Sequence, residues 1–326
     1  MTFSQDPVTP SLKRFAELPA DPTLALLFPG QGSQKVGMGQ EVHGASRPAQ
    51  EVFAYANSIL GVELTRLCFD GPESELTRTA NAQPAILTAS VALFATSVES
   101  GALDRQPAVL AGHSLGEYTA LVVAGAIAFE DALRLVRERG RLMEEAGKRT
   151  PGTMVAIVGL GEDDAREICS ISGAEPSNFN AATQIVVGGS SAALERACAL
   201  AKERGGRGLA MNVAGAFHTS LMAGAADEFK RVLEGAPAQD PAIPVMSNVT
   251  AREMRRASEC ISDLAQQIRS PVLWHQSIVG MQKAGVQTFT EIGPGRALIT
   301  MLKRDSPEAT LVSLDGAAVL AAPTNV

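Results

Sequence analysis

Gly112, His113, Ser114, Leu115 and Gly116 carry the clearest chemical signal in this sequence. They form the pattern G-x-S-x-G between an apolar run, PAVLA at 107–111, and an apolar helical stretch, EYTALVVAGAIA at 117–128. Strand, glycine-flanked serine and helix in that order form a turn that lifts a hydroxyl to the carboxyl end of a sheet. The glycines allow the sharp turn and the close passage of helix over strand. The helix N-terminus behind the serine favours developing negative charge. The bland alternative is a serine that only caps a helix.

A serine hydroxyl is a weak nucleophile near neutral pH and needs a base. Histidine, with an ordinary pKa of about 6.5, is the usual one. The chain has four: His43, His113, His218 and His275. His113 adjoins the serine, so the tight turn directs its side chain elsewhere. His43 lies in a polar segment, and His275 follows Trp274 in what reads as helical packing. His218 sits in the loop GAFHTS, where the chain returns from its middle section to the core. By elimination it is the candidate base, with a polar surface residue as the alternative. No acid is placed to orient it. Hydrolases with this corner follow the order Ser, Asp or Glu, His, whereas Asp227 and Glu228 come after the histidine. A carbonyl could orient it instead, giving a dyad.

The surrounding elements read as α/β. Residues 24–28 (LALLF) form a buried strand that breaks into the glycine-rich loop PGQGSQKVGMG. Residues 83–99 are alanine-rich and helical, and 107–111 form a second buried strand. A helix over 129–146 carries Arg134, Arg137, Arg139 and Arg141 among leucines and valines. On pattern alone these arginines read as a solvated helix face. Strand, turn and helix in succession predict a parallel sheet. The rhythm then changes. Strands at 153–160, 177–181, 184–188 and 208–213, with helices at 162–172 and 191–204, give the order β-α-β-β-α-β. This is a ferredoxin-like split unit inserted into the larger domain. Core character returns with strands at 244–248 and 286–292, the second running into a Gly-Pro-Gly turn. The expected organisation is a disordered leader over 1–22, a core from 23–150 and 215–316, a small subdomain over 151–214, and a loose tail over 317–326.

Composition narrows the function. The chain has 326 residues, a net charge of −7 and 4% aromatic residues. That excludes a general nucleic-acid binder, which needs a basic field and stacking platforms. Cys68, Cys169, Cys198 and Cys260 are widely spaced and predict buried free thiols rather than a metal site or disulfides. There is no secretory signal and no apolar run long enough to span a membrane. A soluble cytoplasmic protein is expected. No apolar stripe demands a partner, so a monomer is expected.

Six segments, LFPGQGSQKVGMG, GHSLGEYTAL, RGRLM, AFHTSLM, SPVLW and EIGPGRAL, occur in an order and spacing that closely resemble the malonyl-CoA:acyl-carrier-protein transacylases. The resemblance covers residues 24–314. It implies an α/β-hydrolase-like large domain with a ferredoxin-like small one. It implies that Ser114 is acylated and that His218 is its base. Gln31 and Leu115 would supply the backbone N–H groups of an oxyanion hole, and the Gln267 carbonyl would orient His218. Arg139 would pair with the malonyl carboxylate, since a carboxylate leaving water must be neutralised and hydrogen-bonded. Phe217, directly before the histidine, would favour the unbranched malonyl group over methylmalonyl. Asn178 and Asn180 would line the cleft, and Lys35 and Arg296 flank two cleft loops as guesses at the carrier-docking patch.

The implied partners are malonyl-CoA and acyl carrier protein. No metal or redox cofactor is expected, CoA being part of the substrate. Two competitors stand beside this reading: a thioester hydrolase or editing enzyme on the same scaffold, and a non-catalytic docking protein. The residues do not separate fatty-acid synthesis from polyketide assembly.

Overall fold

In the computed structural model, residues 6–320 are described, apart from the Ala317 side chain. Six strands form one mixed sheet: β1 (Ala20–Phe28), β2 (Gln106–Gly112), β7 (Val245–Met246), β8 (Glu253–Met254), β9 (Thr288–Ile292) and β10 (Thr310–Leu314). Their order is β10-β9-β1-β2-β7-β8. All neighbours are parallel except the β7–β8 edge pair. Side chains along β1 alternate between two cores, as a buried strand requires. Leu24, Leu26 and Phe28 face the Thr79–Ser100 helix and its neighbours, whereas Ala25 and Leu27 face Trp274, Ile278 and Leu298. β1 and β2 end together, with Phe28 beside Gly112, so the PGQG loop and the serine corner leave the sheet at one edge.

A second, four-stranded sheet is built from β3 (Thr153–Val158), β4 (Glu175–Ala181), β5 (Gln184–Gly189) and β6 (Arg207–Ala210), in the order β4-β5-β3-β6. Every neighbouring pair is antiparallel. Ile157, Phe179, Ile185 and Val187 pack on the Glu162–Ser172 and Ser191–Glu203 helices. Met154 and Val186 point the other way, into a cavity shared with the large sheet. Ser177 and Phe179 exchange backbone bonds with Val272, which ties the small sheet to the large one.

Two expectations about the chain ends change. The leader is not disordered over the described part of 1–22. Thr9–Ala16 is a helix with Pro10 in its first turn, and β1 already begins at Ala20. Val8, Ser11 and Phe15 recur at helical spacing and are buried. Phe15 packs edge-on against Phe94 at 5.1 Å. The tail over 317–326 is not loose at its start: Gly316–Leu320 is helical and Val319 is fully buried. Residues 1–5 and 321–326 lie outside the described residues. The sequence reading also missed β8 and the edge strand β10, and it drew β6 three residues too long. No helix among the described residues is long and apolar enough to cross a membrane.

Candidate active site

The serine corner is held by backbone approaches that only glycine permits. A Cβ on Gly112 would lie 1.9 Å from the Gly116 carbonyl carbon, and one on Gly116 would lie 2.1 Å from the Phe28 carbonyl oxygen. Strand β1, strand β2 and the Gly116–Val123 helix therefore meet at a single point. Ser114 sits there with φ of 52°, a left-handed conformation uncommon for a side-chain-bearing residue. Its hydroxyl is turned towards His218.

Ser114 Oγ lies 2.8 Å from His218 Nε2. On the other side of the imidazole, Nδ1 lies 2.7 Å from the Gln267 carbonyl oxygen. A carbonyl can only accept, so Nδ1 carries the proton and Nε2 presents its lone pair to the serine. Burial, reinforced by the Arg139 cation, pushes the His218 pKa down to about 3, so the imidazole is neutral near pH 7.

Arg139 is 1% exposed and aims at the same hydroxyl. Its Nη2 donates to Ser114 Oγ at 3.0 Å and to Gln267 Oε1 at 2.8 Å, and its Nη1 donates to Gln83 Oε1 at 2.8 Å. All three acceptors are neutral. Among the described residues no carboxylate lies within ion-pair distance of this guanidinium, and its buried Nε has no partner. Its helical neighbours differ. Arg141 is exposed between Glu138 and Glu145, and Arg137 ties the helix to the Ala80 carbonyl and Asn81. Gly140 makes the difference possible. A Cβ there would lie 2.6 Å from the Thr79 carbonyl oxygen, so the Phe129–Arg149 and Thr79–Ser100 helices touch backbone to backbone beside Arg139.

The site opens into a cavity of about 410 Å³. Gln31, Ser114, Phe217 and His218 line it, and Asn178 and Asn180 enter from the small sheet. Neither the Gln31 nor the Leu115 N–H is taken by another acceptor among the described residues; the Leu115 side chain is buried in the core. His113 turns from the serine, as its place on the corner requires, and meets Asn180 Oδ1 through Nε2 at 2.8 Å. Glu291 at the end of β9 accepts from Leu298 N and Ile299 N. It thereby fixes the helix whose Leu298 and Met301 wall the cavity.

The remaining candidates lie elsewhere. His43 packs against Phe53 and Phe69, and His275 is 3.7 Å from Asp305. Asp227 and Glu228 pair with Arg269 and Arg149, not with His218. Arg296 is paired with Asp315, and Lys35 is exposed outside the cavity lining. All four cysteines are free; Cys68, Cys169 and Cys260 are buried as expected, whereas Cys198 is half-buried.

Three residues of the site escaped sequence reading: Gln83, Glu117 and Asn248. Gln83 and Glu117 are polar side chains within largely apolar helices, Asn248 lies in the turn after β7, and each is fully or nearly buried. A lone glutamine in an alanine-rich helix, or an acid in EYTALVVAGAIA, is the signal that could have found them.

A neutral imidazole and a buried guanidinium converging on one hydroxyl at the corner of an α/β sheet can move an acyl group through that oxygen. The sequence pattern of the acyl transferase domain matches residues 25–317. The malonyl CoA-acyl carrier protein transacylase of Bacillus subtilis (strain 168) is 42% identical over 287 residues, covering 86% of this chain and 90% of that protein. The crystal structure of an acyl carrier protein S-malonyltransferase from Vibrio cholerae superposes with a TM-score of 0.86 at 39% identity, covering 91% of this chain and 98% of that one. The malonyl-transacylase chain of a complex with a holo type II polyketide synthase acyl-carrier protein matches with a TM-score of 0.87 at 38% identity, covering 93% of this chain and 99% of that one. The chain belongs to the acyl transferase family, among the malonyl-CoA–acyl carrier protein transacylases.

Proposed function

We propose that the chain transfers the malonyl group from malonyl-CoA to the phosphopantetheine thiol of acyl carrier protein through a malonyl-serine intermediate. One observation carries this reading: a buried arginine, with only neutral partners among the described residues, touches the oxygen of the candidate nucleophile. A buried cation without an anion is costly, and a carboxylate of the substrate would relieve that cost. An acyl group without a carboxylate has no such use for it.

In the first half-reaction Ser114 Oγ attacks the thioester carbonyl carbon while its proton passes to His218 Nε2. The N–H groups of Gln31 and Leu115 stabilise the oxyanion, at a worth on the order of 3 kcal/mol each. The C–S bond then breaks, and CoA leaves as a thiol with the proton from His218. In the second half-reaction the carrier thiol gives its proton to His218 and attacks the malonyl-serine. Ser114 recovers the proton as its ester bond breaks. The kinetics are ping-pong. Every proton and electron pair is accounted for by these side chains and the two thioesters, so the scheme uses no metal or redox cofactor. Phe217, beside His218 on the cavity wall, crowds the α-carbon of the acyl group and disfavours a methyl branch.

We read residues 23–150 and 215–316 as an α/β-hydrolase-like core and 151–214 as a ferredoxin-like insertion. The strand order β4-β5-β3-β6, antiparallel throughout, supports the second description. The free thiols support a reducing, cytoplasmic location.

Intact-mass measurement with malonyl-CoA tests the covalent route. The native chain gains about 86 Da and loses it on adding carrier protein, while Ser114→Ala gains nothing. A native chain that never acquires the adduct contradicts the route. Release of malonate into water faster than transfer to the carrier would favour the hydrolase reading.

A further inference from the structure

Ser114 is held in its left-handed conformation, and the structure shows by what. Its own N–H donates to Asn248 Oδ1 at 2.7 Å. The other end of the same carboxamide, Asn248 Nδ2, donates to the Gly112 carbonyl at 2.7 Å. The orientation is unambiguous, because an N–H can only donate and a carbonyl can only accept. One side chain therefore spans the two peptide groups that flank the corner. It reaches them across 134 and 136 residues of sequence, from a loop at the end of β7. Asn248 is 2% exposed.

The clamp is itself fixed from the opposite side. The Asn248 N–H donates to Glu117 Oε2 at 3.0 Å. Glu117 is fully buried in the first turn of the helix that follows the serine. It lies against Asp263, which accepts from Ser247 Oγ, the residue before the clamp. Burial and the neighbouring Asp263 raise the Glu117 pKa well above the usual carboxylate range. Burial therefore favours the protonated form of Glu117, which can accept from Asn248 and donate to Asp263.

We propose that Asn248 is a positioning residue for the nucleophile, and that Glu117 positions Asn248 in turn. Neither group touches the acyl donor. Their effect is to fix the direction of Ser114 Oγ between His218 Nε2 and Arg139 Nη2, where a displacement of about 1 Å costs on the order of a hundredfold in rate. The inference rests on Ser114 being the acylated residue.

The test is single-turnover acylation of the intact enzyme by malonyl-CoA, followed by mass, with rate and apparent KM read separately. Asn248→Asp keeps the volume and the bond to Ser114 but sets a carboxylate against the Gly112 carbonyl. Asn248→Leu keeps the approximate volume and loses both bonds. Both are expected to slow acylation roughly tenfold to a hundredfold with KM within about threefold of the native value. Glu117→Gln keeps an acceptor for Asn248 and a donor for Asp263, so it is expected within about threefold of native, whereas Glu117→Met falls with the Asn248 variants. That rescue by the conservative variant is what a merely structural role does not give. Should Asn248→Leu fail to fold, Asn248→Asp and the Glu117 pair still decide the matter. Folded Asn248→Asp acylating at the native rate overturns the clamp. A loss in Glu117→Gln equal to that in Glu117→Met overturns the part given to Glu117. A native enzyme that is never acylated overturns the nucleophile assignment instead.

Discussion

At the scale of the residue, the candidate site extends into acid the pH range over which its imidazole stays neutral. His218 is kept neutral by burial and by the Arg139 cation, with a pKa of about 3 against an ordinary 6.5. Two consequences follow, with opposite signs. The base stays competent in acid, so kcat/KM for acylation is expected to be flat within about twofold between pH 5 and 7. Rapid-quench measurement of malonyl-enzyme checks this, and a proportional fall below pH 6.5 contradicts it. The same shift costs stability as pH drops from 6.5 towards 3, because the unfolded chain then binds a proton that the folded chain refuses. Replacing His218 with Gln should flatten that part of the stability curve, as read by urea unfolding at several pH values.

At the scale of the element, helix contacts aim the side chains. Arg139 reaches the serine because Gly140 lets its helix touch the start of the Thr79–Ser100 helix at Thr79. Gly140→Ala drives a methyl group into a backbone carbonyl and should cost about 1–3 kcal/mol. It should also slow malonyl loading, because the helix that carries Arg139 must move away. Thermal unfolding and loading rate check the pair of effects; a variant unchanged in both contradicts the assignment. The N-terminal helix is a different matter. Phe15 is buried against Phe94 and is not among the residues that line the cavity. Phe15→Ala should destabilise by roughly 3–5 kcal/mol with an unchanged loading rate at a temperature where the variant is folded. A loss below about 0.5 kcal/mol would show that the segment is not part of the core.

At the scale of the whole molecule, two sheets face one another across a cavity and each contributes part of its wall. How much of this the sequence discloses depends on distance along the chain. The corner at Ser114 is legible because its glycines, strand and helix are contiguous. The four strands of the small sheet are legible because period-two alternation and amphipathic helices alternate within about 60 residues. β7 is legible in the run at 244–248, whereas β8, at the sheet edge, has two residues and carries no periodicity. The Thr9–Ala16 helix was hidden by its polar average, although its buried positions keep the helical spacing. From residue type alone His218 is reached by elimination; the resemblance carried by AFHTSLM assigns it directly. The Gln267 contact could not be reached from residue type, because a main-chain carbonyl belongs to every residue. Arg139 is indistinguishable by helical pattern from Arg134, Arg137 and Arg141; the resemblance carried by RGRLM singles it out, and the structure shows it buried. Asn248 lies 134 residues from the peptide it holds, a pairing that no local pattern encodes.

The central claim is that a buried guanidinium beside the nucleophile selects a carboxylated acyl group. It is tested most directly by loading Ser114 from malonyl-CoA and from acetyl-CoA in the native chain and in Arg139→Ala, and comparing the ratio of rates. Removing one partner of a buried ion pair costs about 3–5 kcal/mol, so the preference for malonyl should collapse by at least a hundredfold. If the two rates fall together and the ratio stays at its native value, Arg139 does not read the carboxylate.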